Sequence, residues 1–236
     1  MASRRGPRVA AGRSRLRLAG AGLLLAGALA GALLTAGALR GQRPAGAAAP
    51  NHTTFRQITF ERGTVRDARF TPDGQSVLYS AAWEGNPLRI FMTRTDAPES
   101  VRLPLPDARL LSISRSGEMA ISIGHQFEGW IGSGTLAQSS VLGTAPRVLA
   151  EQVREADWAP DGTGLAIVRR VDALEQLEFP IGRALYKTSG FITSIRFSRD
   201  GARIAFVDHP LFADDAGGVS MVNRAGERTQ LSTGYN

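Results

Sequence analysis

The stretch ARFTPDGQSVLYSA, residues 68–81, contains the turn that decides the fold. Pro72, Asp73 and Gly74 stand between two segments in which apolar residues alternate with other residues. Proline sets the φ angle of a type I turn, aspartate hydrogen-bonds to nearby backbone, and glycine takes the positive φ that a side chain resists. This combination predicts a β-hairpin.

The hairpin phrase recurs along the chain. Its glycines are separated by 43, 45 and 39 residues and are Gly74, Gly117, Gly162 and Gly201. Aspartate precedes three of them, as Asp73, Asp161 and Asp200. We assign these residues a structural role, because a hydrogen-bonding aspartate before a positive-φ glycine needs no ligand to explain it. The second copy has its alternating apolar set displaced by one residue, which predicts a shorter turn.

Further strand-like runs follow each hairpin, such as residues 88–96 and 100–106 in the first repeat. Four strands in about 40 residues match the size of a β-propeller blade. A β-sandwich does not require its turns to recur at a nearly fixed spacing. The sequence therefore predicts an all-β fold over residues 55–236: a β-propeller of four-stranded blades, with about four blades present.

The phrases FTPDG, WAPDG and FSRDG, each followed by a strand, resemble the PD40 (WD40-like) repeats of TolB-type propellers. Similar repeats occur in propellers attached to prolyl-oligopeptidase and tricorn-type peptidases. The order of segments such as FRQITFERGTVRDARFTPDG and LEFPIGRALYKTSG is most similar to the propeller that follows the membrane helix of some bacterial receptor Ser/Thr protein kinases. The resemblance implies an extracytoplasmic propeller associated with Ser/Thr kinase signalling.

The chain departs from the kinase pattern at both ends. Only 17 residues precede the apolar run and no kinase motif occurs, so a kinase domain would have to lie in another chain or in missing sequence. Propellers of this group usually have six or more blades, in which a strand like FRQIT, residues 55–59, completes the last blade. We expect an incomplete ring with exposed sheet edges, in which residues 55–59 do not pair with strands in 219–232.

An uncharged, apolar run covers residues 18–39 and predicts one transmembrane helix, since about 20 such residues cross a bilayer. Residues 1–17 are basic and are predicted to be cytoplasmic, and residues 40–54 form a Pro/Ala/Gly linker. These features place the chain in the bacterial inner membrane as a single-pass protein with an extracytoplasmic, periplasmic propeller. A cleaved signal peptide is the alternative, with a small-residue cleavage pattern at residues 47–49.

The net charge of +7 arises in the N-terminal segment, which has nine Arg and no acidic residue before Glu61. From Glu61 onward 19 basic residues face 21 acidic ones, so we predict no nucleic-acid partner. The three histidines have no metal-ligand spacing, and no metal is predicted. A G-x-G-x-x-A pattern at residues 132–137 lacks the following helix that a dinucleotide site needs, so no cofactor is predicted.

The sequence shows no catalytic constellation, including no G-x-S-x-G nucleophile motif. Trp83 and Trp130 stand in glycine-flanked segments and are candidate binding-loop residues, with core packing as the alternative; Trp158 is expected in the core. The predicted function is a non-catalytic, membrane-anchored sensor or scaffold that binds a ligand or protein. The alternatives are a TolB-like periplasmic protein or the gating propeller of a peptidase whose hydrolase domain is missing.

Overall fold

The structure is a computed structural model that describes residues 55–97, 99–129 and 131–233, without the side chain of Glu128. The segments 1–17, 18–39 and 40–54, for which sequence analysis predicts a cytoplasmic region, a membrane helix and a linker, lie outside this range. Within it, no helix has the length and apolar character needed to span a membrane.

The described residues form β-strands joined by turns and irregular connections. The strands are β1 (Gly63–Phe70), β2 (Ser76–Trp83), β3 (Arg89–Arg94), β4 (Ser100–Arg102), β5 (Ala108–Ile113), β6 (Glu118–Glu128), β7 (Ile131–Ser140), β8 (Arg147–Trp158), β9 (Leu165–Val171), β10 (Leu174–Glu178), β11 (Ala184–Thr188), β12 (Phe191–Phe197), β13 (Arg203–His209), β14 (Gly218–Asn223) and β15 (Arg228–Gln230). The predicted all-β class is confirmed.

The strands form three antiparallel sheets, ordered β1-β2-β3-β4, β5 through β11 in sequence, and β12-β13-β14-β15. The seven-stranded sheet differs from the separate four-stranded blades that the sequence predicts. Strand β8 pairs with β7 near its start and with β9 over its second half, so it serves both the second and the third repeat. Gln152 has a positive φ of 60°, which bends β8 at this point. The bent strand takes the place of a loop between the two repeats, so both belong to one sheet.

The recurring turns share one hydrogen-bond pattern. In the first repeat, the Thr71 amide donates to the Ser76 carbonyl at 2.9 Å, and the Thr71 hydroxyl donates to the Asp73 carboxylate at 2.6 Å. The latter bond is the main cause of the lowered pKa of Asp73. The second turn closes from Ser114 to Glu118 and is one residue shorter, as its displaced apolar pattern predicts.

The four repeat glycines all have positive φ: Gly74 +70°, Gly117 +86°, Gly162 +73° and Gly201 +69°. Asp161 and Asp200 each accept a backbone hydrogen bond two residues further along the chain, as Asp73 does. The carboxylates of these turns are therefore used in holding the local backbone.

The core lies between the sheets, where each repeat packs against the next. Between the first and second repeats, buried side chains of both form one cluster that includes Leu78, Ile90, Leu110, Met119 and Ile121. Between the third and fourth repeats, the equivalent cluster includes Leu177, Phe179, Ile192, Ile204 and Phe206. A single repeat cannot bury the apolar faces of its own strands. Burial of these side chains between neighbouring repeats therefore holds the repeats together.

The segment before β1 follows the first sheet. Arg56 donates hydrogen bonds to the carbonyls of Thr95 and Asp96, both at 3.0 Å. Within the described part of the chain, no β-ladder joins residues 55–60 to β14 or β15, and both β1 and β15 are edge strands. Pairing of residues 55–59 with strands in 219–232 would contradict an incomplete ring, and the described residues do not form it. The total number of blades stays a prediction.

Candidate functional site

A cavity of about 610 Å³ lies where strands of three repeats end. The β6–β7 hairpin of the second repeat forms one wall, and the bend in β8 and the end of β9 form another. Phe212, in the connection from β13 to β14 of the fourth repeat, closes a third side. Sites for small ligands typically enclose about 300–1,000 Å³. The cavity has a ligand-sized volume and depends on the association of the repeats.

Two glycines bring β7 close to β6 at the hairpin wall. A Cβ atom added at Gly132 would lie 2.4 Å from His125 Nε2, and one added at Gly134 would lie 2.4 Å from Ser122 Oγ. The register of β6 against β7 shifts between Ile123 and Gln126, which marks a β-bulge at this approach. The G-x-G-x-x-A pattern of residues 132–137 therefore lies within strand β7, and its glycines allow close backbone packing.

Arg154 forms the floor of the cavity. It lies where the register of β8 against β9 shifts between Val153 and Glu155, a bulge that redirects one side chain. Its side chain is only 10% exposed, and its Nε donates to Glu175 Oε1 at 3.2 Å. The guanidinium carbon lies 5.5 Å from the centre of the Phe212 ring. The bulge thus presents a largely buried cation to the cavity.

This ion pair leaves hydrogen-bonding groups unused. Neither terminal nitrogen of Arg154 donates a hydrogen bond to another described residue. Glu175 Oε2 is also buried without a partner in that part of the chain. Burial raises the pKa of Glu175, although the charge of Arg154 opposes the shift. An unsatisfied buried acceptor such as Glu175 Oε2 costs about 1–3 kcal/mol, whereas the terminal nitrogens of Arg154 can donate to acceptors of a ligand.

The rim of the cavity carries one more cation and a carboxylate. The guanidinium of Arg170, at the end of β9, lies 5.0 Å from the centre of the Phe212 ring. Glu151 lies on β8, where its Oε2 accepts a hydrogen bond from Thr135 Oγ1 of β7 at 2.7 Å. Among the described residues, two arginines and one glutamate line the cavity, and Glu175 lies beneath Arg154.

His125 lies behind the hairpin wall and is half-buried. Its Nδ1 is 2.9 Å from Ser122 Oγ, while Nε2 has no hydrogen-bond partner among the described residues. Burial, followed by the charge of Arg109, lowers the pKa of His125 to about 4. The imidazole is consequently neutral at pH 7 and adds no charge to the site.

Arg154 has a counterpart in the first repeat, which is a feature of the sequence that could have identified it. Arg66 and Arg154 both stand eight residues before a repeat glycine, in the phrases RDARFTPDG and READWAPDG. Both occupy bulges, and each guanidinium lies over a phenylalanine of the following repeat, with Arg66 4.6 Å from the Phe127 ring centre. Recurrence of an arginine at the same distance before the repeat glycine could have marked this end of the strands as a candidate site.

The predicted binding-loop tryptophans are not part of this site. Trp83 is the last residue of β2, is 7% exposed, and packs with Tyr79 and Phe91 in an aromatic cluster. Its assignment to an exposed recognition loop was wrong, because β2 extends to this position and the rings of Tyr79 and Phe91 pack against the indole. Trp130 lies outside the described residues. Trp158 is half-buried and packs against the core of the second and third repeats.

The histidines show no metal-binding arrangement in the described part of the chain. Across residues 55–97, 99–129 and 131–233, no group of three or more His, Cys, Asp or Glu side chains is placed to hold a metal ion. His209 instead lies 3.0 Å from Thr193 Oγ1 and 3.1 Å from the carbonyl of Ala216. His52 lies outside the described residues.

No family model and no curated protein matches the sequence. Among solved structures, TolB from Acinetobacter baumannii is similar, with a TM-score of 0.57 and 18% identity over 75% of this chain and 45% of TolB. Tricorn protease is similar with a TM-score of 0.55 and 17% identity, over 74% of this chain and 19% of the protease. The chain thus spans less than half the length of either. These similarities show that the described residues have a TolB-like β-propeller fold.

Proposed function

We propose that the chain is a non-catalytic, membrane-anchored β-propeller that binds a ligand or protein outside the cytoplasm and acts as a sensor or scaffold. The observation that carries this proposal is the cavity built jointly by the second, third and fourth repeats. Its floor offers a buried guanidinium whose terminal nitrogens donate to no other described residue, and its sides include the rings of Phe127 and Phe212. An apolar surface with a few placed polar groups is typical of ligand sites.

The cavity can be tested by blocking it. Gln126 is exposed and lines the cavity, whereas Gln75 is exposed in the first repeat turn, away from it. We expect at least one member of a small-solute library to raise the melting temperature of the full chain in detergent micelles. The gain should disappear in Gln126→Trp and persist in Gln75→Trp. Equal responses of the two variants would contradict binding in the cavity.

The anchor rests on the sequence of residues 18–39 and on the arginines in residues 1–17. A positively charged segment before an apolar run favours an N-terminus in the cytoplasm. Added protease should therefore degrade the propeller in intact spheroplasts. Protection of residues 55–236 would contradict the extracytoplasmic placement, and a mature N-terminus near residue 50 by intact mass would replace the anchor with a cleaved signal peptide.

A second candidate is the gating propeller of a peptidase, which is favoured by the similarity of the fold to tricorn protease. Association with Ser/Thr kinase signalling rests on the sequence resemblance alone. The flanking genomic DNA separates these possibilities. A downstream domain containing G-x-S-x-G would favour the peptidase, an upstream kinase domain would favour the receptor kinase, and further repeats alone would favour the sensor or scaffold.

A further inference from the structure

We propose that the cavity binds a small organic monocarboxylate, whose carboxylate is held by the terminal nitrogens of Arg154 and whose carbon skeleton lies against the phenylalanine-lined side. This inference rests on the proposed binding role of the cavity. It adds the chemical class of the ligand and the residue that selects it.

Arg154 presents hydrogen-bond donors to the cavity. Its side chain is nine-tenths buried and lines the cavity, and among the described residues its one side-chain hydrogen bond runs from Nε to Glu175. A guanidinium presents its remaining donors in a planar fork that matches the two oxygens of a carboxylate. Two parallel hydrogen bonds would satisfy donors that no described protein group uses.

The charges around the cavity favour a ligand with one negative charge. Arg154 and Arg170 face Glu151 on the rim and Glu175 beneath the floor. A single carboxylate would meet a local excess of donors at Arg154. A phosphate dianion would bring a second charge near two carboxylates, and like charges at short range in a partly buried site are costly.

Part of the cavity lining is apolar and suits a hydrocarbon skeleton. Phe127 and Phe212 line the cavity together with Ile123 and Ile131. Phe212 lies beneath both Arg154 and Arg170, at 5.5 and 5.0 Å from their guanidinium carbons. A ring or short hydrocarbon skeleton would bury apolar surface here while its carboxylate reaches the floor.

The test measures binding of benzoate to the full chain in detergent micelles by calorimetric titration, with benzamide as the neutral isostere. We expect benzoate to bind at least tenfold more tightly than benzamide. Glu175→Gln keeps a hydrogen-bond acceptor for Arg154 Nε but removes the competing charge, so benzoate affinity should rise severalfold. Arg154→Gln combined with Glu175→Gln removes the anchor without leaving an unpaired buried charge, and affinity should fall at least tenfold.

The matched control is Arg169→Gln combined with Glu178→Gln. This pair joins strand β9 to β10, the strand that also carries Glu175, across a 2.8 Å contact, and its arginine does not line the cavity. The control should bind benzoate within twofold of the unmodified chain. Benzoate and benzamide binding with equal affinity would overturn the assignment, as would loss of affinity in Glu175→Gln or unchanged affinity in the double variant at Arg154.

Failure of this inference can be distinguished from failure of the proposed function. One outcome is that benzoate fails to bind while a library solute stabilises the unmodified chain but not the Gln126→Trp variant. That result would overturn the carboxylate assignment and leave the proposed binding role in place. If no solute binds in the cavity, both fall.

Discussion

The ion pair between Asp67 and Arg109 joins the first and second repeats, whose sheets share no backbone ladder. Arg109 donates from Nε and Nη2 to the two carboxylate oxygens at 2.9 and 3.0 Å, and the side chains are 17% and 10% exposed. Asp67→Asn removes the charge and turns one acceptor into a donor that faces the guanidinium. Breaking a buried pair costs about 3–5 kcal/mol, and the residual exposure reduces our expectation to about 3 kcal/mol.

A loss of this size should lower the melting temperature of the full chain in detergent by about 6–12 °C. Asp96→Asn provides the control, because Arg94 and Asp96 form a similarly short pair that is 57% and 65% exposed and should contribute little. The double variant Asp67→Asn, Arg109→Gln should be less destabilised than the sum of the single variants. An Asp67→Asn melting temperature no lower than that of Asp96→Asn would refute the view that this pair holds the repeats together.

Three further predictions concern the core, the hairpin wall and pH. Ile167→Ala removes a side chain with 0% exposure and should cost about 2–5 kcal/mol in denaturant unfolding. Gly132→Ala should speed hydrogen exchange across β6 and β7 more than Gly74→Ala does in its own turn, because only the former places a Cβ against its neighbours. The folded-state pKa of His125, about 4, lies below its ordinary 6.5, so its stabilising contribution is present above pH 6.5 and is lost as pH falls towards 4. The stability advantage of the unmodified chain over His125→Gln should therefore shrink over that range in thermal unfolding.

The repeat turns could be predicted because their determinants are local. Asp73 and Gly74 satisfy the turn within a few residues, so a short phrase is sufficient to identify each copy. The merging of the second and third repeats was not predictable in the same way. Its bend is at Gln152, a residue with no special preference for φ of 60°, and neither glycine nor proline marks the position.

The site was less accessible to sequence analysis because its partners are distant in the chain. Glu175 lies 21 residues after Arg154, and Phe212 belongs to an irregular connection in the next repeat. Trp83 illustrates the converse error. Nearby Gly85 indicated an exposed loop, but Tyr79 on the same strand and Phe91 on the neighbouring strand β3 pack against the indole and bury it.

The repeats of this chain share a β-bulge at the same place in the strand order, but the side chain at the bulge differs from repeat to repeat. A register shift occurs in the first strand of each repeat, at Arg66, Leu111 and Arg154 and between Thr193 and Arg196. Each shift precedes a turn whose hydrogen bonds do not involve the bulged residue. The side chain at the bulge can therefore change from leucine to arginine while the turn and the strand pairing are maintained. The TolB-like fold supplies a repeated position at which one substitution alters what the cavity floor can bind, and Arg154 is the instance that faces the cavity.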